Sequence, residues 1–457
     1  MSKDLTKGNP SRALLGFVLP MLVSVMFQQL YNMADSMIAG KYAGQDALAA
    51  VGASYPITML FMAVALGSNI GCSVVIAGLF GAKEHTRMKT AIYTSFISAG
   101  VLAVILSIFG LAFSSKLMTL INTPDNISED SELYLRIYIA GFIFLYLYNV
   151  ATGAFNSMGD SRTPLYFLIG SSVGNIVLDV VFVKYFYWGV AGVAWATFIA
   201  QGAACALASV TLFFKLRKIE TKERAKLFSG ELLFKIGWIA IPSIAQQSFV
   251  SVGNVFIQRL INSFGSPIIA GYSAAIKLNT FVITSLSTIG NGASQFSGQN
   301  MGAGNYERIK KGFRAALLLC IMIACVFSLV LFFGRGFFVE MFLDEEATRK
   351  ALLSGMQFLM VVAPFYPVIS VKLVSDGVLR GTGAITTFMI STFTDLILRV
   401  ALAYILVRLC GDWFPMLGEE YDASFGIWLS WPLGWIIGAG MSFFFYKRGR
   451  WQNCNIV

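Results

Sequence analysis

The chain has 457 residues, of which 56% are hydrophobic and only 13% charged, and it carries a formal net charge of +10. Soluble domains carry about 25% charged residues, and no water-soluble packing buries this much apolar surface. Apolar stretches of about 20 residues, enough to cross a bilayer as a helix, recur from end to end and do not alternate as transmembrane strands do, so the composition reads as a polytopic all-α membrane protein.

The opening MSKDLTKGNPSR is polar and the apolar run behind it is already of span length, so no cleavable signal peptide is read. Twelve spans follow, at approximately 14–36, 48–80, 91–113, 134–158, 165–184, 189–215, 236–262, 268–298, 313–334, 354–380, 385–408 and 424–446. The second and eighth are long enough to tilt or to project beyond the bilayer. The cysteines (Cys72, Cys205, Cys320, Cys325, Cys410 and Cys454) form no CxxC or Cys/His cluster, so neither a disulfide framework nor a metal centre is implied.

Basic clusters fall between alternate spans: Lys83, Arg87 and Lys89; then FFKLRKIETKERAKLF; then Arg308, Lys310, Lys311 and Arg314; and finally Lys447, Arg448 and Arg450. Acidic clusters at 125–132, 344–346 and 419–422 lean the other way. The bias places both termini in the cytoplasm, in the inner (plasma) membrane, and accounts for the net charge. Charges spread over separate membrane-flanking loops do not form the continuous patch that nucleic acid requires, so no nucleic-acid partner is expected.

The chain repeats itself at a distance of about 221 residues. Pro20 matches Pro242, Asn32 matches Asn254, Gly71 matches Gly292, Gly81-Ala82 matches Gly302-Ala303 and Arg87 matches Arg308; further on, Gly153 and Gly159 match Gly377 and Gly383. Six spans in each half give both halves the same orientation, a parallel repeat about an axis along the membrane normal. The organisation reads as an amino-terminal lobe over 1–214, a basic cytoplasmic linker over 215–235 and a carboxyl-terminal lobe over 236–457. A carrier that rocks between inward-open and outward-open states fits this plan better than a channel, since no ring of charge is seen.

Ionisable residues inside spans are expensive and mark function. In LYNMADSMIAG, near the end of the first span, Gln28, Tyr31, Asn32 and Asp35 are spaced by three or four and share a helix face. In the fifth, Asn175 and Asp179 share a face at i, i+4. Two carboxylates converging on one cavity would repel, raising at least one pKa toward neutrality, which a proton-coupled carrier needs; ringed by amide and hydroxyl oxygens, the pair also suits Na⁺. Asp376 with Arg380 and Asp395 with Arg399 stand at i, i+4 and read as structural ion pairs in a second-lobe polar network. Lys277 and Lys372 are read as snorkelling or as neutralising an acid in that lobe. The lone His85 lies in a loop, and with no Ser/His/Asp set and no GxxxxGK[ST] the chain is read neither as an enzyme nor as an ATP-driven pump.

The halved twelve-span plan, with LPMLVSVMFQQLYNMADSMIAG, GLFGAKEHTRMK, GNIVLDVVF, GVAGVAWATFIAQ and GVLRGTG, resembles the multidrug and toxic compound extrusion (MATE) family over nearly the whole chain. The resemblance implies two six-helix lobes forming a V and export of small amphiphilic, often cationic, organic substrates, driven by H⁺ or Na⁺ and needing no cofactor. It is nearest to the prokaryotic DinF-like branch, whose amino-lobe cation site maps onto Asp35, Asn175, Asp179 and Thr197. Gln28 and Tyr31 match cavity-lining neighbours, and Pro20 matches the proline about which the first helix bends. Other branches place a glutamate in the seventh helix; residues 236–262 hold none, and Ile257 stands at the internal counterpart of Asp35. The alternative reading, a flippase for a lipid-linked glycan or peptidoglycan precursor, would want basic residues in the cavity for pyrophosphate. Beyond lipid and substrate no partner is expected, and the chain is read as a monomer.

Overall fold

The computed structural model describes residues 4–454 apart from 39–41, 43–44, 122, 222, 344–347, 411–412 and 414–421, and without the side chains of 33–38, 45–48 and 410. Every regular element among the described residues is helical: α1 Pro10–Ile38, α2 Gln45–Gly81, α3 His85–Leu120, α4 Asp125–Ser157, α5 Arg162–Asp179, α6 Gly189–Arg217, α7 Gly230–Asn262, α8 Ser266–Gly302, α9 Tyr306–Phe333, α10 Arg335–Glu340, α11 Arg349–Val362, α12 Tyr366–Gly381, α13 Ile385–Cys410 and α14 Phe425–Arg448. A 3₁₀ turn, Ala363–Phe365, joins α11 to α12 into one span, and the short α10 is an addition to the twelve expected spans. The break in that span coincides with Pro364 and Pro367, neither of which can donate a backbone hydrogen bond.

Eleven of the helices described are long and apolar enough to cross a membrane. The twelfth spanning helix, α7, is long enough at 33 residues but carries Gln246, Gln247, Asn254 and Gln258 through its body. Its composition suits a helix with one face in a polar cleft rather than one surrounded by lipid.

The repeat in the sequence is a repeat in the structure. Helices α2 and α8 are each 37 residues long and end at Gly81 and Gly302. Pro20 and Pro242 lie inside α1 and α7. The turn after α2 passes through Lys83 at φ 61° and that after α8 through Gly304 at φ 68°; the turns after α4 and α12 use Gly159 and Gly383 at φ 75° and 80°. Only the lysine bears the strain of a left-handed conformation with a Cβ.

The two lobes meet at one end and part toward the other. At the meeting end α2 crosses α8 backbone to backbone: a Cβ on Gly302 would strike the Gly78 carbonyl, and one on Gly81 would strike that of Gln299. Gly292 of α8 receives Val18 of α1, and Gly71 of α2 faces the Ile236 carbonyl and Ala240 of α7. Polar bonds reinforce this end. Gln299 Nε2 donates to the Ser157 carbonyl at 2.6 Å, Ser157 Oγ donates to Gln295 Oε1 at 3.2 Å, and Arg87 pairs with Glu231 at 2.7 Å. The amino-terminal segment is wound into the same seam. Leu5 is fully buried, its N–H donates to Gln299 Oε1, and Arg308 donates to the carbonyls of Leu5, Lys7 and Gly8. Further along, α1 exposes Val23, Met26 and Leu30, and α7 exposes Phe249, Val252 and Val255, as the arms of a V do.

Candidate ion and substrate site

The polar stripe on α1 reaches into the first lobe. Tyr31 Oη donates to Asn175 Oδ1 on α5, while Gln28 and Asn32 are exposed on α1. Asn175 is buried, and its Nδ2 has no hydrogen-bond partner among the described residues. Asp179 is fully buried and is the last residue of α5, immediately before a π-helical turn, Val180–Tyr185. Widened turns of this kind recur at functional sites, because an extra residue re-aims the side chains around it. The backbone of Asp35 lies within α1, but its side chain lies outside the described residues.

Thr197 lines a recess between α4 and α6 with Tyr134, Tyr138, Phe198 and Gln201. It makes no hydrogen bond to Asn175 or Asp179 among the described residues; the link is indirect, since Tyr134 also packs against the cluster of Val193 and Val183, the latter in the π-helical turn. Lys184, five residues beyond Asp179, makes no ion pair with it; its Nζ sits over the rings of Tyr42 and Tyr185, at 5.4 and 5.5 Å. The structure therefore brings Tyr31 and Asn175 together across α1 and α5, with Asp179 one turn further along α5, and sets Thr197 on α6. In α7, Ile257, the counterpart of Asp35, is fully buried.

The second lobe corrects the expected ion pairs. Neither Asp376–Arg380 nor Asp395–Arg399 forms among the described residues; Lys372 takes both carboxylates, Asp376 at 2.7 Å and Asp395 at 3.7 Å. The reason lies on α14. A Cβ on Gly438 would sit 3.0 Å from both Lys372 Cε and Asp395 Cβ, closer than ordinary van der Waals contact, so glycine gives the lysine its room beside α13. Ser442, one turn on, donates to Asp376 Oδ1 at 2.6 Å and bonds to Ser391. Gly434, Gly438 and Ser442 form a small-residue stripe at i, i+4 spacing, the signal by which the sequence could have disclosed this packing. Each guanidinium turns elsewhere: Arg380 lies over Phe388 and donates to Asn291 Oδ1 at 2.5 Å, and Arg399 lies 4.4 Å from the Trp431 ring centroid and donates to Asn254 Oδ1 at 3.4 Å.

Comparison with known proteins decides what this frame belongs to. The MatE family profile matches twice, over residues 20–181 and again over 242–405. The chain belongs to the MatE family. MatE proteins are transporters rather than enzymes, and the double match coincides with the two halves of the fold. The chain is 27% identical over 453 residues to the probable multidrug resistance protein YpnP of Bacillus subtilis, covering 98% of this chain and 97% of that one. It is 24% identical over 360 residues to a FAD transporter of Shewanella oneidensis, covering 77% and 78%. Among solved structures it superposes on a MOP superfamily transporter from Pyrococcus furiosus with a TM-score of 0.88 at 24% identity, covering 98% of this chain and 97% of that one; the description of that structure reports a binding pocket of reversed polarity. This MatE protein accordingly has the two-lobed, V-shaped transporter fold that the resemblance implied.

Proposed function

We propose that this MatE protein is a secondary active exporter of amphiphilic organic compounds, driven by H⁺ or Na⁺ bound in the first lobe. The observation that carries this reading is the Tyr31–Asn175 hydrogen bond, which joins the polar face of α1 to the segment of α5 holding the fully buried Asp179. A carboxylate buried at membrane depth is retained only where it is paired, protonated or bound to a cation, and α1, bonded to Asn175 one turn away, can respond to its occupancy. Asp35, Asn175, Asp179 and Thr197 are the proposed ion ligands, Gln28, Tyr31 and Asn32 line the adjoining cavity, and Pro20 is the bend point of α1.

Names of relatives, a multidrug resistance protein and a FAD transporter among them, support a small organic cargo. The basic linker between α6 and α7 and the basic starts of α3 and α9 cluster at the closed end of the V, which supports a cytoplasmic seam and an open mouth on the far side. Reconstitution into proteoliposomes with independently imposed pH and Na⁺ gradients tests the proposal. Uptake of a fluorescent amphiphile should follow one gradient and collapse with the matching ionophore; uptake indifferent to both gradients would overturn it.

A further inference from the structure

The second lobe holds more positive charge inside its bundle than it pairs: Lys372 and Arg399 are buried and Arg380 is half-buried. Lys372, Arg380 and Arg399 face only Asp376 and Asp395, and both carboxylates are engaged by the lysine, so neither guanidinium has a carboxylate within 4 Å among the described residues. Arg399 is 7% exposed, and its Nε has no partner; neither does the Nε of Arg380. A guanidinium inside the bundle with no carboxylate in contact is costly, and an anion that approaches it lowers that cost.

Both arginines are arranged alike. Each lies over an aromatic ring and donates to the side-chain oxygen of one asparagine: Arg380 to Asn291 on α8, Arg399 to Asn254 on α7. With its oxygen turned to the guanidinium, each amide offers its NH₂ outward, and neither Nδ2 has a hydrogen-bond partner among the described residues. Both asparagines are exposed.

The helices that carry these asparagines both border the other lobe, α7 at Ala240 against Gly71 and α8 at Gly292 against Val18. Gly290 packs on Leu373 of α12 and Gly292 on Val18 of α1, so Asn291 sits between a helix of its own lobe and one of the other. Asn254 belongs to the polar stripe Gln247, Ser251, Asn254 and Gln258 of α7, which repeats at helical spacing and has no place against lipid. Hydrogen bonds whose donors are backed by a guanidinium are stronger and favour charged acceptors.

We propose that Asn254, polarised by Arg399, is an anion-accepting point on the second lobe that receives the carboxylate or phosphate of an amphiphilic substrate, and that Asn291 with Arg380, roughly 20 Å nearer the closed end by helix rise, is a second such point. The inference rests on the transport reading and sharpens it: the cargo carries an acidic group, so zwitterionic and anionic amphiphiles are preferred over simple cations.

Binding to the purified full-length protein in detergent tests this independently of transport. Rhodamine B, which bears a carboxylate, is compared with its ethyl ester, and 1-naphthyl phosphate with 1-naphthol, by fluorescence titration. At least one acid should bind about tenfold or more tightly than its neutralised partner, the scale of a hydrogen bond to a charged group; the arm that shows the larger ratio identifies the oxyacid. In Asn254→Asp/Asn291→Asp, a carboxylate of nearly the same shape satisfies each guanidinium, and the acid-to-ester ratio should fall below one. The wild-type ratio needs no variant, so the test survives poor folding of the double mutant. Ratios at or below one in both wild-type arms, or a ratio unaltered in the double variant, would overturn the proposal. Acid-selective binding without gradient-driven uptake would instead sink the transport reading and leave the subsite standing.

Discussion

The backbone N–H of Leu5 donates to Oε1 of Gln299 at 3.0 Å, across 294 residues of sequence, while the amide nitrogen of the same glutamine donates to the carbonyl of Ser157. One side chain thus ties the amino-terminal segment and the end of α4 to α8.

Removing that glutamine should loosen the closed end. Gln299→Ala leaves two buried backbone groups without partners, at roughly 1–3 kcal/mol each, and the loss falls on the state in which the lobes meet. On a cysteine-free background, a cysteine placed at the fully buried Ala77 should react with maleimide at least several-fold faster in the Gln299→Ala variant. Equal labelling rates would show that the bonds do not hold the seam.

Asp179→Asn and Asp35→Asn should each abolish ion-driven transport while leaving the folded yield intact. For the fully buried Asp179, neutralisation removes a desolvation penalty, so the melting temperature in detergent should be unchanged or higher. Tyr31→Phe, which strips Asn175 of its hydroxyl donor, should weaken coupling without eliminating it. The double aspartate variant should be no worse than either single, as expected of one shared site. Gradient-driven uptake at the wild-type rate in either single variant would remove these carboxylates from the mechanism.

Lys372 is the residue on which the second lobe depends. Lys372→Met leaves Asp376 and Asp395 buried without their counter-charge and should destabilise the protein by roughly 3–5 kcal/mol. Combining it with Asp376→Asn and Asp395→Asn should recover most of the loss. Thermal unfolding followed by size-exclusion chromatography reads the effect, and a single variant as stable as the wild type would refute the central role of this lysine.

Outside the membrane spans, Asp160 gives a pH dependence with a definite sign. Burial pushes its carboxyl up, but the hydrogen bond and charge of Lys215 at 2.5 Å, with the hydroxyl and N–H of Thr163, outweigh burial and hold it below the ordinary value. A depressed pKa contributes stability that is complete above the unfolded value, about 4, and is lost as pH falls through the folded one. The stability difference between wild type and Asp160→Asn should therefore be largest near neutrality and shrink below about pH 4. A difference that stays constant down to pH 3 would count against the linkage.

The repeat was readable because it is written in backbone requirements: Gly81 and Gly302, or Gly159 and Gly383, are needed wherever helices cross or turn, and such needs survive in sequence. The polar face of α1 was readable from spacing alone. Ion pairing in the second lobe was readable only in part: Lys372 stood as a candidate to neutralise an acid, as it does, but i, i+4 spacing put Arg380 and Arg399 first. Asp376 has Lys372 four residues before it and Arg380 four after, and local geometry allows either; the choice was made by the groove at Gly438 on a helix distant in sequence. Leu5 was invisible for the same reason, a single apolar residue in a polar tail whose partner, Arg308, reads as one more basic residue of a cytoplasmic loop.

The crossing of α2 over α8 has a mechanical consequence. Where Gly78 and Gly81 meet Gln299 and Gly302, main chain touches main chain, and no interlocking side chains need to change rotamer before the helices move. Such a contact behaves as a plain bearing: it fixes the distance between two rods while leaving their rotation cheap. Any methyl group added there would act as a wedge, and Gly302→Ala should jam the turnover rate of the carrier more than it weakens the binding of its cargo.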